Sequence, residues 1–359
     1  VLSAGSGCPA PSCDDGDLCV VLGTGALGFN GDGLPPLETM LASPTSVREA
    51  PGGGPLVVDF SNMRLRVIGD DGLVTTLVGD GTHAYSEPGA AADATPLENP
   101  IDARWGPDGL LYIAPLHEGR VIRIGANGTV ELVAGTGASL AHGGDGGDAL
   151  DATMGYPGGL AFDADGTLYL SDSTNHRIRR VSLDGTIETV AGTGERGFDR
   201  AGRGTDVRLS SPAMLEVDRA TDRLLIADRG NDRVAVLDLE TGELTTLAGT
   251  GEPGWDGDGG PSADAMLDEP YGLAAADDGT IWIAEVGNDV VRRVTPDGTI
   301  DTVAGSRDQV AAADVPLGAP ALEFPLRGPA GIELLPDGDL LLAERSGHRV
   351  VRWTPEPSP

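Results

Sequence analysis

Pro157-Gly-Gly-Leu-Ala-Phe162, Asp163-Ala-Asp-Gly166, Thr167-Leu-Tyr-Leu-Ser171, Asp172-Ser-Thr-Asn175, His176-Arg-Ile-Arg-Arg-Val181, Leu183-Asp-Gly185 and Thr186-Ile-Glu-Thr-Val-Ala191, closing on Gly192-Thr-Gly194, follow one another almost without a gap. Short apolar runs rich in β-branched and aromatic residues read as strands, and Asp-Gly between such runs is the strongest local hairpin signal. The stretch therefore predicts four antiparallel strands. The same order returns after Pro44, Pro100, Pro157, Pro212, Pro270 and Pro329, at intervals of 56, 57, 55, 58 and 59 residues. A near-constant period of this length marks a repeat architecture. Four strands per repeat, arrayed around an axis, is the propeller's way of limiting exposed sheet edges.

The last strand of the repeat provides a second count. It appears at Leu77-Val-Gly79, Val133-Ala-Gly135, Val190-Ala-Gly192, Leu247-Ala-Gly249 and Val303-Ala-Gly305. The sixth copy stands at the other end of the chain, in Cys19-Val-Val-Leu-Gly23-Thr-Gly25, whereas the C-terminal repeat stops after Arg349-Val-Val-Arg-Trp353. An all-β, six-bladed β-propeller follows, with the N-terminal strand joining the last blade to close the ring. Residues 1–17 are read as a cysteine-containing tail, 18–353 as the propeller and 354–359 as a C-terminal tail.

Composition narrows the partners. The formal charge is −32, from 56 acidic and 24 basic residues, and every basic residue is an arginine. Nucleic acid is not an expected partner, because phosphate binding needs a basic surface. Chemistry that depends on lysine is excluded. No apolar run approaches the roughly 18 residues of a membrane span. A strongly acidic surface also serves plain solubility. Cys8, Cys13 and Cys19 lack the paired spacing of a zinc site. Strand alternation puts Cys19 on an outward face, within reach of Cys8 or Cys13. A disulfide between Cys19 and one of these two is expected, and with it a secreted, periplasmic or cell-surface location. Residue 1 is read as the start of a processed or trimmed chain.

Leu168-Tyr-Leu-Ser-Asp172-Ser-Thr-Asn175-His176-Arg177-Ile-Arg-Arg-Val181 resembles the core of the NHL repeat. So do Ile226-Ala-Asp228-Arg-Gly-Asn231-Asp-Arg233-Val, Ile283-Ala-Glu285-Val-Gly-Asn288-Asp-Val-Val, Val58-Asp59-Phe-Ser-Asn62-Met-Arg64-Leu and Leu342-Ala-Glu344-Arg-Ser-Gly347-His-Arg349-Val. The second blade departs, with Ala114-Pro115-Leu-His-Glu-Gly119-Arg120. The loop Gly249-Thr-Gly-Glu-Pro-Gly-Trp-Asp-Gly-Asp258-Gly-Gly-Pro-Ser-Ala-Asp-Ala265 is similar to the extended NHL variety of secreted bacterial proteins and teneurin-like ectodomains. The resemblance implies a fold more than an activity, since the wider family includes protein-binding propellers, sensor domains and a few lyases.

Short Asp-Gly turns belong to one face of the disk. The second-to-third loops and the fourth-to-first loops of about 20 residues belong to the other, and loops of that length point to function or disorder. Any binding surface is expected there. Asn30-Gly-Asp32-Gly33, Gly144-Asp145-Gly-Gly-Asp148 and Asp256-Gly-Asp258-Gly-Gly260 offer flexible oxygen ligands, which makes Asp32, Asp145, Asp148, Asp256 and Asp258 candidate calcium ligands. The EF-hand order is incomplete: Gly260 stands where a third acid is needed and Leu267 occupies the twelfth position. The competing reading has each Asp capping its own turn. His83, His117, His142, His176 and His348 all fall in long-loop-face segments, but no local spacing marks a zinc site, so zinc is not expected. Asp59, Asp172 and Asp228, with Asn62, Asn175 and Asn231, recur at matching positions and read as loop architecture. Arg64, Arg120, Arg177, Arg233 and Arg349 are expected to bridge neighbouring strands or blades.

No nucleophile elbow, phosphate loop or dinucleotide fingerprint is present. The expected function is non-catalytic recognition of a protein or glycan through the long-loop face, on its own or within a larger surface assembly. The alternative is a metal-dependent lyase or hydrolase with its site at the channel mouth, which requires three histidines or acids to converge.

Overall fold

The computed structural model describes residues 14–137, 140–306 and 317–355. Six antiparallel sheets make six blades. In blade 3 the strands are Pro157–Phe162, Leu168–Asp172, Arg177–Val181 and Thr186–Ala191, within a residue or so of the sequence reading. Blade 6 is built from Pro329–Leu334, Leu340–Glu344 and Arg349–Trp353, and its outer strand is Asp17–Leu22 from the other end of the chain. Leu18 faces Trp353 and Val20 faces Val351 in that closure. Cys19 lies opposite Arg352, the position at which Glu131 faces Arg123 and Glu188 faces Arg180 in blades 2 and 3. Its two possible partners, Cys8 and Cys13, lie outside the described residues. No helix among the described residues is long and apolar enough to cross a membrane.

The repeated Ala-Gly signature has a steric cause. Gly192 has φ +91°, and a Cβ there would stand 2.1 Å from the carbonyl oxygen of His176, so only glycine lets the fourth strand turn away against the third. Near the axis, a Cβ on Gly331 would stand 2.7 Å from Ser46 Cα. Small residues thus let the first strands of adjacent blades approach. Larger side chains fill the wedges farther out, as where Tyr112 of blade 2 meets Phe162 of blade 3 edge-on, with ring centroids 4.9 Å apart.

The described parts of the long loops carry regular structure. Where they are described, they run along the outer edge of the blade they enter. Gly147–Asp148, Ala201–Arg203, Gly260–Pro261 and Gly318–Pro320 add a fifth strand to blades 3, 4, 5 and 6, and single bridges (Leu34 to Val74, Ala91 to Thr129) do the same in blades 1 and 2. A short 3-10 turn follows in blades 1 to 5. The loops therefore cover the backbone groups that an outer strand would leave unpaired. That structural duty explains most of their length.

Candidate functional site

The second-to-third corner of each blade is organised by one buried carboxylate. Asp59, Asp172, Asp228, Glu285 and Glu344 have no exposed surface. Each accepts a backbone N–H from the long loop entering its own blade: Ala42 at 2.6 Å, Gly155 at 2.7 Å, Ser210 at 2.7 Å, Asp268 at 2.8 Å and Arg327 at 2.6 Å. Asn62, Asn175, Asn231 and Asn288 donate to the same carboxylates from three residues on. Burial pushes Asp59 up to about 6 and Glu285 up to about 7. Blade 2 has Pro115 at this position, and Glu118, from the asparagine position, takes over by accepting the N–H and Oγ–H of Ser86 at 2.8 and 2.7 Å.

The repeated arginines brace strands within a blade. Arg64 donates to the carbonyls of Asn62 and Asp80, and Arg177 to those of Asn175 and Thr193. Arg233 and Arg349 pair with the buried Asp228 and Glu344 of their own corners. The bridging thus runs between strands and loops of one blade. Aromatic loop residues cover several of these guanidinium groups: Phe29 over Arg64 at 4.1 Å, Tyr85 over Arg120 at 5.5 Å and Phe198 over Arg233 at 4.5 Å. The sequence reading missed this layer. Its signal is an aromatic residue six positions after the repeated glycine, in Gly23 to Phe29, Gly79 to Tyr85, Gly192 to Phe198 and Gly249 to Trp255.

The candidate calcium ligands are not gathered into one place. Asp32, Asp145 and Asp258 belong to blades 1, 3 and 5, and each faces a fully buried arginine: Arg66 at 2.9 Å, Arg179 at 2.7 Å and Arg292 at 2.6 Å. The same three arginines lie 3.6–3.7 Å from Asp59, Asp172 and Glu285. A guanidinium stands between two carboxylates in each odd blade, the position a cation would seek. Asp148 caps a turn by accepting the N–H of Leu150 at 2.9 Å, and the Asp256 carbonyl accepts from Met266 at 3.0 Å.

The histidines divide into two groups. His176 and His348 adopt the left-handed conformation (φ +54° and +52°), and their Nδ1 atoms accept the N–H of Ser211 and Ser43 in the next blade at 3.0 and 3.1 Å. Burial holds both rings below their ordinary value. They are inter-blade latches. His142 approaches Asp145 at 3.4 Å. His83 and His117 converge on Glu98, with His83 Nε2 at 2.8 Å and His117 Nδ1 at 3.4 Å from the same Oε1.

Around the channel, the residue after each second strand falls at one repeat position: Phe60, Leu116, Ser173, Arg229, Val286 and Arg345. All six are half-buried on the long-loop face. Arg345 lies 5.9 Å from the Phe60 ring across the blade 6 to blade 1 junction, and Arg229 lies 5.7 Å from Tyr271 while pairing with Glu269 at 2.8 Å. Deeper in the channel, Arg48 pairs with Asp102 and Glu333, and Arg104 with Glu216, tying first strands of five blades. A groove of about 630 Å³ opens between blades 2 and 3 on the opposite face, beside Tyr112, Arg123, Phe162 and Leu183.

The model of the teneurin NHL domain matches residues 125–231, the third blade and its flanks, where the repeat corner described above is most complete. The chain is a six-bladed β-propeller whose repeats are similar to NHL repeats. It is 29% identical to NHL repeat-containing protein 2 of Bos taurus over 66% of this chain and 36% of that protein. It is 32% identical to Teneurin-m of Drosophila melanogaster over 45% of this chain and 6% of that protein. The chain thus spans well under half the length of these relatives. An auxiliary nutrient binding protein of Bacteroides thetaiotaomicron shares its fold, with a TM-score of 0.67 at 14% identity, over 94% of this chain and 75% of that one.

Proposed function

We propose that this propeller is a recognition module that binds a protein or glycan through its long-loop face, outside the cell or at its surface. The observation that carries this reading is the contrast between neighbouring repeat positions. The corner residue before the ring is an acid in five blades and serves the fold in each of them. The next residue, at the channel mouth, is different in nearly every blade: Phe60, Leu116, Ser173, Arg229, Val286, Arg345. Repeated residues answer a demand common to all blades, whereas a ring of unlike ones, even where Phe60, Leu116 and Val286 also pack on the core, presents a mixed apolar and cationic patch. Two arginines at that mouth, on a chain of charge −32, also give an anionic or aromatic group of the ligand a local attraction. The relation to teneurins and the fold shared with a nutrient binding protein support a binding role.

The test compares the wild type with a Leu116→Glu/Arg345→Glu variant and with Leu183→Glu on the opposite face. Each is applied to a glycan array and to a panel of purified ectodomains. Loss of the wild-type signals in the first variant and their survival in the second is the expected result. The reverse pattern would move the binding surface to the short-turn face.

A further inference from the structure

We propose that His83, Glu98 and His117 form a site for a zinc-class divalent metal on blade 2, with its remaining coordination positions open to solvent. One ligand atom from each of the three lies within 4.8 Å of the others, the one such group with three metal-binding side chains among the described residues. Asn99 Oδ1 stands 2.6 Å from the same His83 Nε2 that lies 2.8 Å from Glu98 Oε1. One imidazole nitrogen carries at most one proton, so two oxygens converging on it are poorly served by hydrogen bonding alone. A cation among these lone pairs would satisfy all of them.

Comparison with the other blades shows that this cluster is no part of the repeat. The three positions are the fourth residue after the loop glycine, the residue whose N–H enters the buried corner, and the third residue of the second-to-third corner. Blade 1 carries Leu27, Ala42 and Ser61 there, blade 4 Arg196, Ser210 and Gly230, and blade 5 Pro253, Asp268 and Gly287. Blade 2 alone combines two histidines with an acid. It is also the blade whose corner departs from the repeat, with Pro115 in place of the acid and Glu118 accepting from Ser86.

The neighbours hold this arrangement in place. The His117 ring packs edge-on against Tyr156, centroids 4.7 Å apart, and the Tyr85 hydroxyl donates to the His117 carbonyl at 3.3 Å. Two imidazoles and one carboxylate suit zinc, and three protein ligands leave a position for water or for a ligand group. His83 is 53% and His117 37% exposed, against 13% for Glu98, so the open side faces solvent. The acidic surface raises the local cation concentration. His83 and His117 are 34 residues apart in the chain, which is why no local motif betrays them.

The test uses the full chain without a histidine tag, freed of metal by chelator and then titrated with Co²⁺ as a spectroscopic probe, with Zn²⁺ and Ca²⁺ as competitors. The expected result is one Co²⁺ per chain with the intense visible bands of four- or five-fold coordination, displaced by Zn²⁺ and unaffected by Ca²⁺. His83→Ala, His117→Ala and Glu98→Gln should each weaken binding by at least about tenfold. His142→Ala should leave it intact, and thermal melting of each variant separates lost ligands from lost fold. Absence of saturable Co²⁺ binding, or an isotherm unchanged in folded His83→Ala and His117→Ala, would overturn the proposal.

Discussion

A guanidinium with no exposed surface must be matched by acids, because an unpaired buried charge is far costlier than the pair. Arg179 shows how this chain does it. Asp172 lies beneath it at 3.7 Å and Asp145 reaches it from the loop at 2.7 Å. Replacing Arg179 by Met removes the buried cation and leaves Asp172 with the Gly155 N–H, Asn175 and the weaker pull of Arg177. Urea unfolding should show a loss of about 3–5 kcal/mol, and adding Asp172→Asn should recover part of it. Asp145→Asn should cost about 1 kcal/mol or less, since Asp145 is 38% exposed. If arginine is the partner these loops were built for, adding Ca²⁺ to the metal-free protein will leave the unfolding midpoint of wild type and Asp145→Asn where it was. A midpoint raised by Ca²⁺ in the wild type but not in Asp145→Asn would restore calcium. The sequence displayed both halves of the pair. Asp32, Asp145 and Asp258 attract attention because acids flanked by glycines look like ligands, whereas the arginines hide among strand residues. The clue is the constant spacing: Arg66, Arg179 and Arg292 each stand 34 residues after their acid.

At the scale of the blade, four of the six junctions carry the same latch in two chemistries. His348 Nδ1 and His176 Nδ1 accept the N–H of Ser43 and Ser211, while Asp232 and Asp289 carboxylates accept those of Glu269 and Gly328 at 3.0 and 2.6 Å. An imidazole nitrogen accepts only when unprotonated. Burial depresses His348; for His176 burial acts first, helped by Arg196 and Arg177 and opposed by Asp228. The unfolded chain therefore takes up these protons first as the pH drops below about 6.5, so the latch's stability is present above that value and is lost on acidification. Asp59 and Glu285, raised to about 6 and about 7, act in the opposite sense: their stability is present at low pH and is lost as the pH rises through those values. The wild type alone mixes the two signs. Comparison with His176→Asp/His348→Asp, which installs the acceptor used in blades 4 and 5, isolates the histidines. Between pH 7.5 and 5 the wild type should lose more stability than the variant, by less than about 1 kcal/mol because both rings are partly solvated. Equal losses would remove the histidines from the latch. The blades themselves were legible because each repeat restates the same hairpin signals. The latches were not, because acceptor and donor sit in different blades and the acceptor changes residue type between copies.

The whole ring depends on its two ends meeting. Asp17–Leu22 pairs with Arg349–Trp353 on one side and with Gly318–Pro320 on the other, so blade 6 is complete only when residues some 330 positions apart in the chain have come together. That contact forms at a large entropic cost, since the loop it closes is the whole molecule. Self-repulsion at a charge of −32 adds to the difficulty. The strand compensates with apolar burial: Leu18 and Leu22 have no exposed surface, and Val20 only 3%. Leu18→Ala should cost about 2–4 kcal/mol by the usual scale for a buried leucine. The loss should appear in every probe at once, because an open ring exposes the flanks of blades 5 and 1 as well as blade 6. The closure strand is also where Cys19 sits, on a register position that other blades fill with surface residues. A bond from Cys19 to Cys8 or Cys13 would not close the ring by itself, since all three lie at the same end of the chain. It would stiffen the tail against the closing strand and remove conformations from the open state, a stabilisation of about 2–4 kcal/mol at most. Peptide mapping without reductant identifies the partner, and reductant should lower the unfolding midpoint of the wild type while leaving Cys19→Ser unaffected. If reductant shifts both alike, or neither, the brace is absent and closure rests on the strand pairing and the burial of Leu18, Val20 and Leu22.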